Sequence, residues 1–366
     1  MGEAIRAVRA AAYRIPTDAA EADGTLSWDA TTLVVCEAEA GPVRGMGYSY
    51  AHEACAVLIG DTLGPVVTGR DVLDVPGVSA AMQRAVRNLG RPGLVSCALS
   101  AVETALYDAK ARLLELPLAA LFGRCREAVA VYGSGGFTTY DGEQTRAQLR
   151  RWVHQQEIPR VKIKIGEEWG TRVGRDLERV ALARSIVGDD VELYVDANGG
   201  YRVGQAVRVG RALADHGVSW FEEPVSSDHL LDLREVREQV DADVTAGEYG
   251  YHLPYFAAML DARAVDCLQI DVTRCGGFDE WLRAAAVAAA GGLDVSGHCA
   301  PNLAAHVAAA TPNLRHVEYF HDHDRIERLC FDGVLDPAGG NLCPDLSRPG
   351  HGLHLKEADV ASYRVR

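Results

Sequence analysis

Val191-Glu192-Leu193-Tyr194-Val195-Asp196 is an apolar run that ends on a carboxylate, and the pattern repeats. Twenty-six residues on, Val218-Ser219-Trp220-Phe221 leads to Glu222, and after another 26, Val244-Thr245-Ala246-Gly247 leads to Glu248. A strand with its return helix occupies about this length. The spacing therefore predicts successive βα units, with one carboxylate at the same end of three neighbouring parallel strands. Three carboxylates meeting at a barrel mouth repel one another unless a hard divalent cation lies between them. All-oxygen ligands favour Mg2+ over zinc.

Working outward, eight strands are predicted at 129–133, 160–165, 192–196, 219–222, 244–248, 267–272, 293–297 and 316–319. Amphipathic helices fill the gaps, as at 175–187, 203–216 and 280–290, and none clearly closes the last unit. Residues 127–325 thus form the barrel domain. Residues 1–126 read as an α+β capping domain: a strand over 32–39, a flexible aromatic loop over Gly45–Tyr50, then helices at 52–61, 71–89 and 94–114. Residues 326–366 carry turn clusters such as Pro337-Ala338-Gly339-Gly340 and return to the cap.

The 366 residues are 48% hydrophobic, enough for a sizeable core, with 37 basic and 51 acidic side chains and a net charge of −14. No basic stripe exists to neutralise phosphates, so nucleic acid is excluded as a partner. Nine scattered cysteines without C-x-x-C spacing predict reduced, buried thiols. No signal peptide or 18-residue apolar span is found, so the expectation is a soluble, cytoplasmic protein without membrane contact.

The strand ends carry the chemistry. Alternation along Val161-Lys162-Ile163-Lys164-Ile165 puts Lys162 and Lys164 on one face. Facing inward, they need a balancing acidic cluster, and their mutual repulsion would lower one pKa toward that of a base. Facing outward, they are ordinary solvated lysines, and the motif alone leaves both readings open. Asp196 and Asn198 share a face, although an Asx-Gly turn would also account for Asn198. In Phe221-Glu222-Glu223-Pro224 the register selects Glu222 as the ligand and leaves Glu223 for a supporting ion pair. Asp271 and His298 end neighbouring strands. Asp271 would accept the Nδ1 proton of His298 and poise Nε2 for proton transfer. Glu318, if held protonated, would donate to an oxyanion. Lysines on one side, a His–Asp pair on the other and a metal between them suit removal of a proton next to a carboxylate.

As a set, Lys162-x-Lys164, Asp196-x-Asn198, Trp220-Phe221-Glu222-Glu223-Pro224, Gly247-Glu248, the Asp271 and His298 pair and Glu318 resemble the enolase superfamily, and within it the mandelate racemase subgroup. The resemblance covers nearly the whole chain. It implies an α/β fold: a modified TIM barrel, (β/α)7β, under a cap built from the N-terminal part and the C-terminal tail. It implies Mg2+ held by Asp196, Glu222 and Glu248, with Lys164 and His298 as the two bases and Asp271 orienting His298. Lys162 and Glu318 would contact the substrate carboxylate and its enediolate form, with Asn198 nearby. It further implies a homo-oligomer acting on a small carboxylate, an acid sugar.

The expected reaction is dehydration of an aldonate or aldarate to a 2-keto-3-deoxy acid, His298 protonating the departing hydroxyl. Racemisation, epimerisation or cycloisomerisation with the same bases is the alternative. A Schiff-base aldolase would leave three carboxylates unexplained, and a non-catalytic binding protein would predict a decayed site. Specificity is expected in loops 16–28 and 45–54, with Tyr48, Tyr50 and His52 for hydroxyls and Trp28 as a wall. His321-Asp322-His323-Asp324 has the composition of a metal site, but contiguous residues cannot all converge, so it reads as a polar loop at the active-site end.

Overall fold

Three antiparallel strands open the chain in the structure, a computed structural model that describes residues 2–366. They are β1 (Ile5–Ala22), β2 (Ser27–Ala40) and β3 (Val43–Tyr50), adjacent in that order. The β1–β2 hairpin is far longer than the predicted strand. Its tip is a tight turn in which Asp23 Oδ1 accepts from the backbone N–H groups of Thr25 and Leu26 at 2.6 and 2.8 Å. The tip touches the barrel, where Trp169 N donates to Gly24 O at 2.8 Å.

Gly45–Tyr50 is not a flexible loop but the body of β3. Its glycines serve close approach. β3 lies on the helix Leu94–Leu113, which forms as the apolar spacing predicted. A Cβ at Gly45 would sit 2.3 Å from Ala105 O, and one at Gly47 would sit 2.2 Å from Thr104 Oγ1 and 2.4 Å from Ala101 O. Strand and helix backbones meet only because no side chain separates them.

From β4 (Val129–Gly135) strands and helices alternate. The further strands are β5 (Arg160–Lys164), β6 (Glu192–Asp196), β7 (Val218–Glu222), β8 (Asp243–Ala246), β9 (Cys267–Ile270), β10 (Asp294–Gly297) and β11 (Leu314–Phe320). All eight are parallel, and β11 pairs with β4 to close the ring. The strands fall where the sequence predicted them. The last unit differs, because a helix, His321–Cys330, does follow β11. Its composition is polar, yet Ile326 and Cys330 are buried, and Asp322 and Asp324 suit the positive end of a helix dipole.

Inside the barrel, Tyr132, Tyr194, Trp220 and His316 form a buried aromatic layer. Tyr194, Trp220 and His316 each lie two residues before a carboxylate, so alternation stacks the acidic layer directly on the aromatic one. The tail packs against the N-terminal part: His351 Nε2 lies 2.7 Å from Met46 O, and Arg112 Nη2 donates to Leu353 O at 3.0 Å. All nine cysteines are free, and seven are buried. Among the described residues no helix is long and apolar enough to cross a membrane.

Gly47→Ala is expected to lower the unfolding free energy by about 1–3 kcal/mol, the usual cost of overpacking. Denaturant titration would show this as a reduced midpoint, and an unchanged midpoint would contradict the close strand–helix approach.

Candidate active site

Strand register assembles the centre. Lys164 on β5 pairs in register with Asp196 on β6, and Asp196 with Glu222 on β7. Glu248 stands two residues beyond β8, behind Gly247. Gly247 has φ 138°, and a Cβ there would lie 2.1 Å from Gln269 O, so only glycine carries the chain past β9 to place Glu248. Oxygens of Asp196, Glu222 and Glu248 lie within 4.8 Å of one another, and all three residues are buried.

Both lysines point inward, which removes the outward alternative. Lys164 Nζ lies 2.5 Å from Asp196 Oδ2. Lys162 Nζ lies 2.6 Å from Glu222 and 2.8 Å from Glu318, over the Tyr132 ring. The expected drop in a lysine pKa is not what this packing produces. Burial presses both ammonium groups downward, but Glu222, Glu318 and Asp196 outweigh it for Lys162, as Asp196 does for Lys164, and both pKa values end raised. Glu318 likewise departs from the expected protonated donor. Burial pushes its carboxyl up, yet Lys162, His298 and Lys164 hold it well below the usual range. It accepts from Ser134 Oγ at 2.6 Å and from Cys299 N at 3.1 Å.

The carboxylates remain crowded. Burial, then Asp196, pushes Glu222 up to about 7. Glu248 Oε2 and Asn198 Oδ1 are buried without a hydrogen-bond partner. Glu223 makes no ion pair among the described residues. It is buried in a left-handed conformation (φ 35°), and burial followed by Glu248 raises its carboxyl. Hard oxygen donors, an orphaned oxygen on Glu248 and uncompensated negative charge fit a hard divalent cation at Asp196, Glu222 and Glu248.

Across the ring, His298 Nδ1 lies 2.7 Å from Asp271 Oδ2. With Asp271 accepting the Nδ1 proton, Nε2 points inward, 3.5 Å from Glu248 and 3.6 Å from Glu318. Burial lowers the imidazole pKa, but Glu248, Glu318 and the Asp271 hydrogen bond raise it more. Thr273 fixes Asp271 through its N–H and hydroxyl, both at 2.7 Å. Two participants carry no sequence signal of their own. Arg274 bridges Glu248 (3.2 Å) and Asp271 (3.4 Å), tying metal-site geometry to the His–Asp pair. Cys299, at φ 52°, puts Sγ 3.3 Å from Glu318 and 3.4 Å from His298 Nε2.

Above these groups is a cavity of about 420 Å³, within the usual range for small-ligand sites. Lys164, His298 and Glu318 line its floor, and Asn198, Trp28 and His52 line its walls. Trp28 Nε1 is committed to Glu21 at 2.8 Å, which leaves the indole as an apolar wall. Tyr48 does not reach the cavity. It is fully buried, its hydroxyl 2.7 Å from Glu327 and its ring stacked on Phe331, so it joins cap to barrel instead of touching a substrate. Tyr50 does line the cavity, stacked on His323. The His321–Asp324 cluster is split by helix geometry: His323 faces the cavity, Asp324 binds Arg328 and Tyr319, Asp322 accepts from Thr31, and His321 meets Asp18.

Residues 5–123 match the mandelate racemase / muconate lactonizing enzyme N-terminal domain, and residues 144–359 match the enolase C-terminal domain-like family. A mandelate racemase/muconate lactonizing enzyme-like protein from Rubrobacter xylanophilus is 45% identical, with a TM-score of 0.95 and 99% of each chain covered. A racemase from Streptomyces coelicolor with bound magnesium is 27% identical, with a TM-score of 0.92 over 99% of this chain and 100% of its own. Arabinonate dehydratase of Saccharolobus solfataricus is 28% identical over 88% of this chain and 87% of its own.

Asp271→Asn is expected to lower the His298 pKa by removing the negative charge that favours the imidazolium. An NMR titration of the imidazole protons reads this directly, and an unshifted His298 titration would contradict the assigned pairing.

Proposed function

The chain belongs to the mandelate racemase/muconate lactonizing enzyme family of the enolase superfamily, and from that premise we propose that it dehydrates an acid sugar, an aldonate or aldarate, to a 2-keto-3-deoxy acid with Mg2+ as cofactor. One observation carries the reading: Lys164 and His298 approach a buried carboxylate triad from different strands, two possible proton-transfer groups facing one cavity. The arabinonate dehydratase relative supports the substrate class, and the magnesium-bound racemase supports the cofactor.

Asp196, Glu222 and Glu248 would hold the ion. When bound, it supplies positive charge that loosens Asp196's grip on Lys164 and offsets charge developing on the substrate carboxylate. Lys162 adds positive charge beneath that carboxylate, and Lys164, as the neutral amine once Asp196 no longer holds its ammonium form, would take the proton from the adjacent carbon. His298, its Nδ1 proton held by Asp271, would give its Nε2 proton to the departing β-hydroxyl, which leaves as water. The enol that remains tautomerises to the 2-keto acid. Asp271 is the group that orients His298, and Arg274 fixes Asp271 relative to Glu248. Trp28, His52 and Asn198 surround the distal part of the substrate.

A second reading rests on the same pair of groups. If His298 returns a proton to the carbon instead of the oxygen, the outcome is racemisation or epimerisation, and the racemase relative supports keeping it.

With Mg2+ present, a panel of aldonates and aldarates is expected to include one that yields a semicarbazide-reactive 2-keto acid. EDTA should abolish turnover and Mg2+ restore it. Lys164→Ala and His298→Asn should each lower kcat by about 10²–10⁴-fold, the usual worth of a positioned acid or base. Solvent deuterium entering recovered substrate without keto-acid formation would replace dehydration by the racemase reading.

A further inference from the structure

Outside the barrel mouth, Asp18, Glu21 and His321 form a second cluster, with one potential ligand atom of each within 4.8 Å of the others. Asp18 and Glu21 lie near the end of β1, and His321 starts the helix after β11. His321 Nε2 is 3.1 and 3.2 Å from the two Asp18 oxygens. Ligands sharing one small tetrahedral ion lie roughly 3.3–3.6 Å apart, given metal–ligand bonds of about 2.0–2.2 Å, so a small further separation of His321 from Asp18 would admit one.

Glu21 supplies the independent observation. It is only 1% exposed, Oε2 accepts from Trp28 Nε1, and Oε1 is buried with no hydrogen-bond partner. A buried acceptor left unpaired is destabilising, so the Glu21 oxygen is short of a partner. Burial, with Asp322 and Asp18 close by, pushes the Glu21 carboxyl up to about 8. The nearby cation, Arg325, is engaged by Asp322 at 2.5 Å.

We propose that Asp18, Glu21 and His321 bind a divalent cation of the zinc class, separate from the carboxylate triad, that ties the β1–β2 hairpin to the barrel. An imidazole nitrogen with two carboxylates selects a borderline ion such as Zn2+, whereas the all-oxygen triad suits Mg2+. The exposed Asp18 leaves a route for entry, and water fills the remaining position. The consequence reaches the cavity. Asp23, Leu26 and Trp28 of the hairpin line it, and Trp28 is fastened to Glu21 itself. Occupancy therefore fixes the wall over the substrate without contributing to proton transfer.

The test uses the full chain, freed of metal, saturated with Mg2+ and dialysed against micromolar Zn2+, with both metals then quantified. Wild-type protein should retain one equivalent of zinc more than Asp18→Asn or His321→Ala, with equal Mg2+ in all three. Zn2+ should also slow proteolytic cleavage within residues 16–28 in wild type alone. Asp18 is exposed, so its variant keeps the fold if His321→Ala does not. Equal zinc in wild type and Asp18→Asn, or no zinc retained by wild type, would overturn the proposal; the first result would place zinc elsewhere, as at His298, Cys299 and Glu318.

Discussion

Charge balance in the barrel mouth governs how the surrounding elements are arranged. Asp196, Glu222, Glu248 and Glu318 share one buried space with Lys162 and Lys164. Each unpaired buried ion costs several kcal/mol, and breaking a buried pair costs about 3–5 kcal/mol. The lysines each grip carboxylates, and Glu318 stays ionised because Lys162, His298 and Lys164 surround it. Counting Glu223 and Asp271, six buried acids face Lys162, Lys164, Arg274 and His298, which still leaves the triad short of positive charge. The raised Glu222 and the orphaned Glu248 oxygen are where that shortage is visible.

The surroundings serve this arrangement. The aromatic layer of Tyr132, Tyr194 and Trp220 closes the barrel beneath the charges and excludes water, and Trp220 Nε1 donates to Glu222 at 2.9 Å. Gly247 lets Glu248 reach over β9, and Arg274 joins Glu248 to the His–Asp pair. Above, the cap is held by glycine-mediated contact of β3 with its helix, and the tip of the first hairpin sets the cavity wall. The same network that stabilises the charges thus fixes where a substrate carbon would sit between Lys164 and His298.

Much of this is legible in the sequence because it follows from backbone period. The 26-residue interval and the alternation along β5 and β6 are enough to put Lys162, Lys164, Asp196 and Glu222 on one face. Those readings depend only on strands being parallel and inward-facing. What failed depended on tertiary contact. Gly45 and Gly47 read as flexibility, whereas helix Leu94–Leu113 lies where their side chains would be. Tyr48 carries the right chemistry for a sugar hydroxyl, but its hydroxyl is taken by Glu327, 279 residues away. His321–Asp324 reads as a loop because the apolar face of its helix begins only at Ile326. Arg274 and Cys299 gain meaning solely from their distances to Glu248, Asp271 and His298.

Asp196, Glu222 and Glu248, with ligand oxygens within 4.8 Å of one another, are placed to share one cation. Titration of metal-free protein with Mn2+, with the free ion followed by electron paramagnetic resonance, reads out that site. Wild-type protein should show a saturable site that Asp18→Asn retains. Glu222→Gln should weaken that site by more than the about 10–100-fold that losing an outer-sphere partner costs. Absence of a saturable site, or an affinity unchanged in Glu222→Gln, would contradict a cation shared by the three carboxylates.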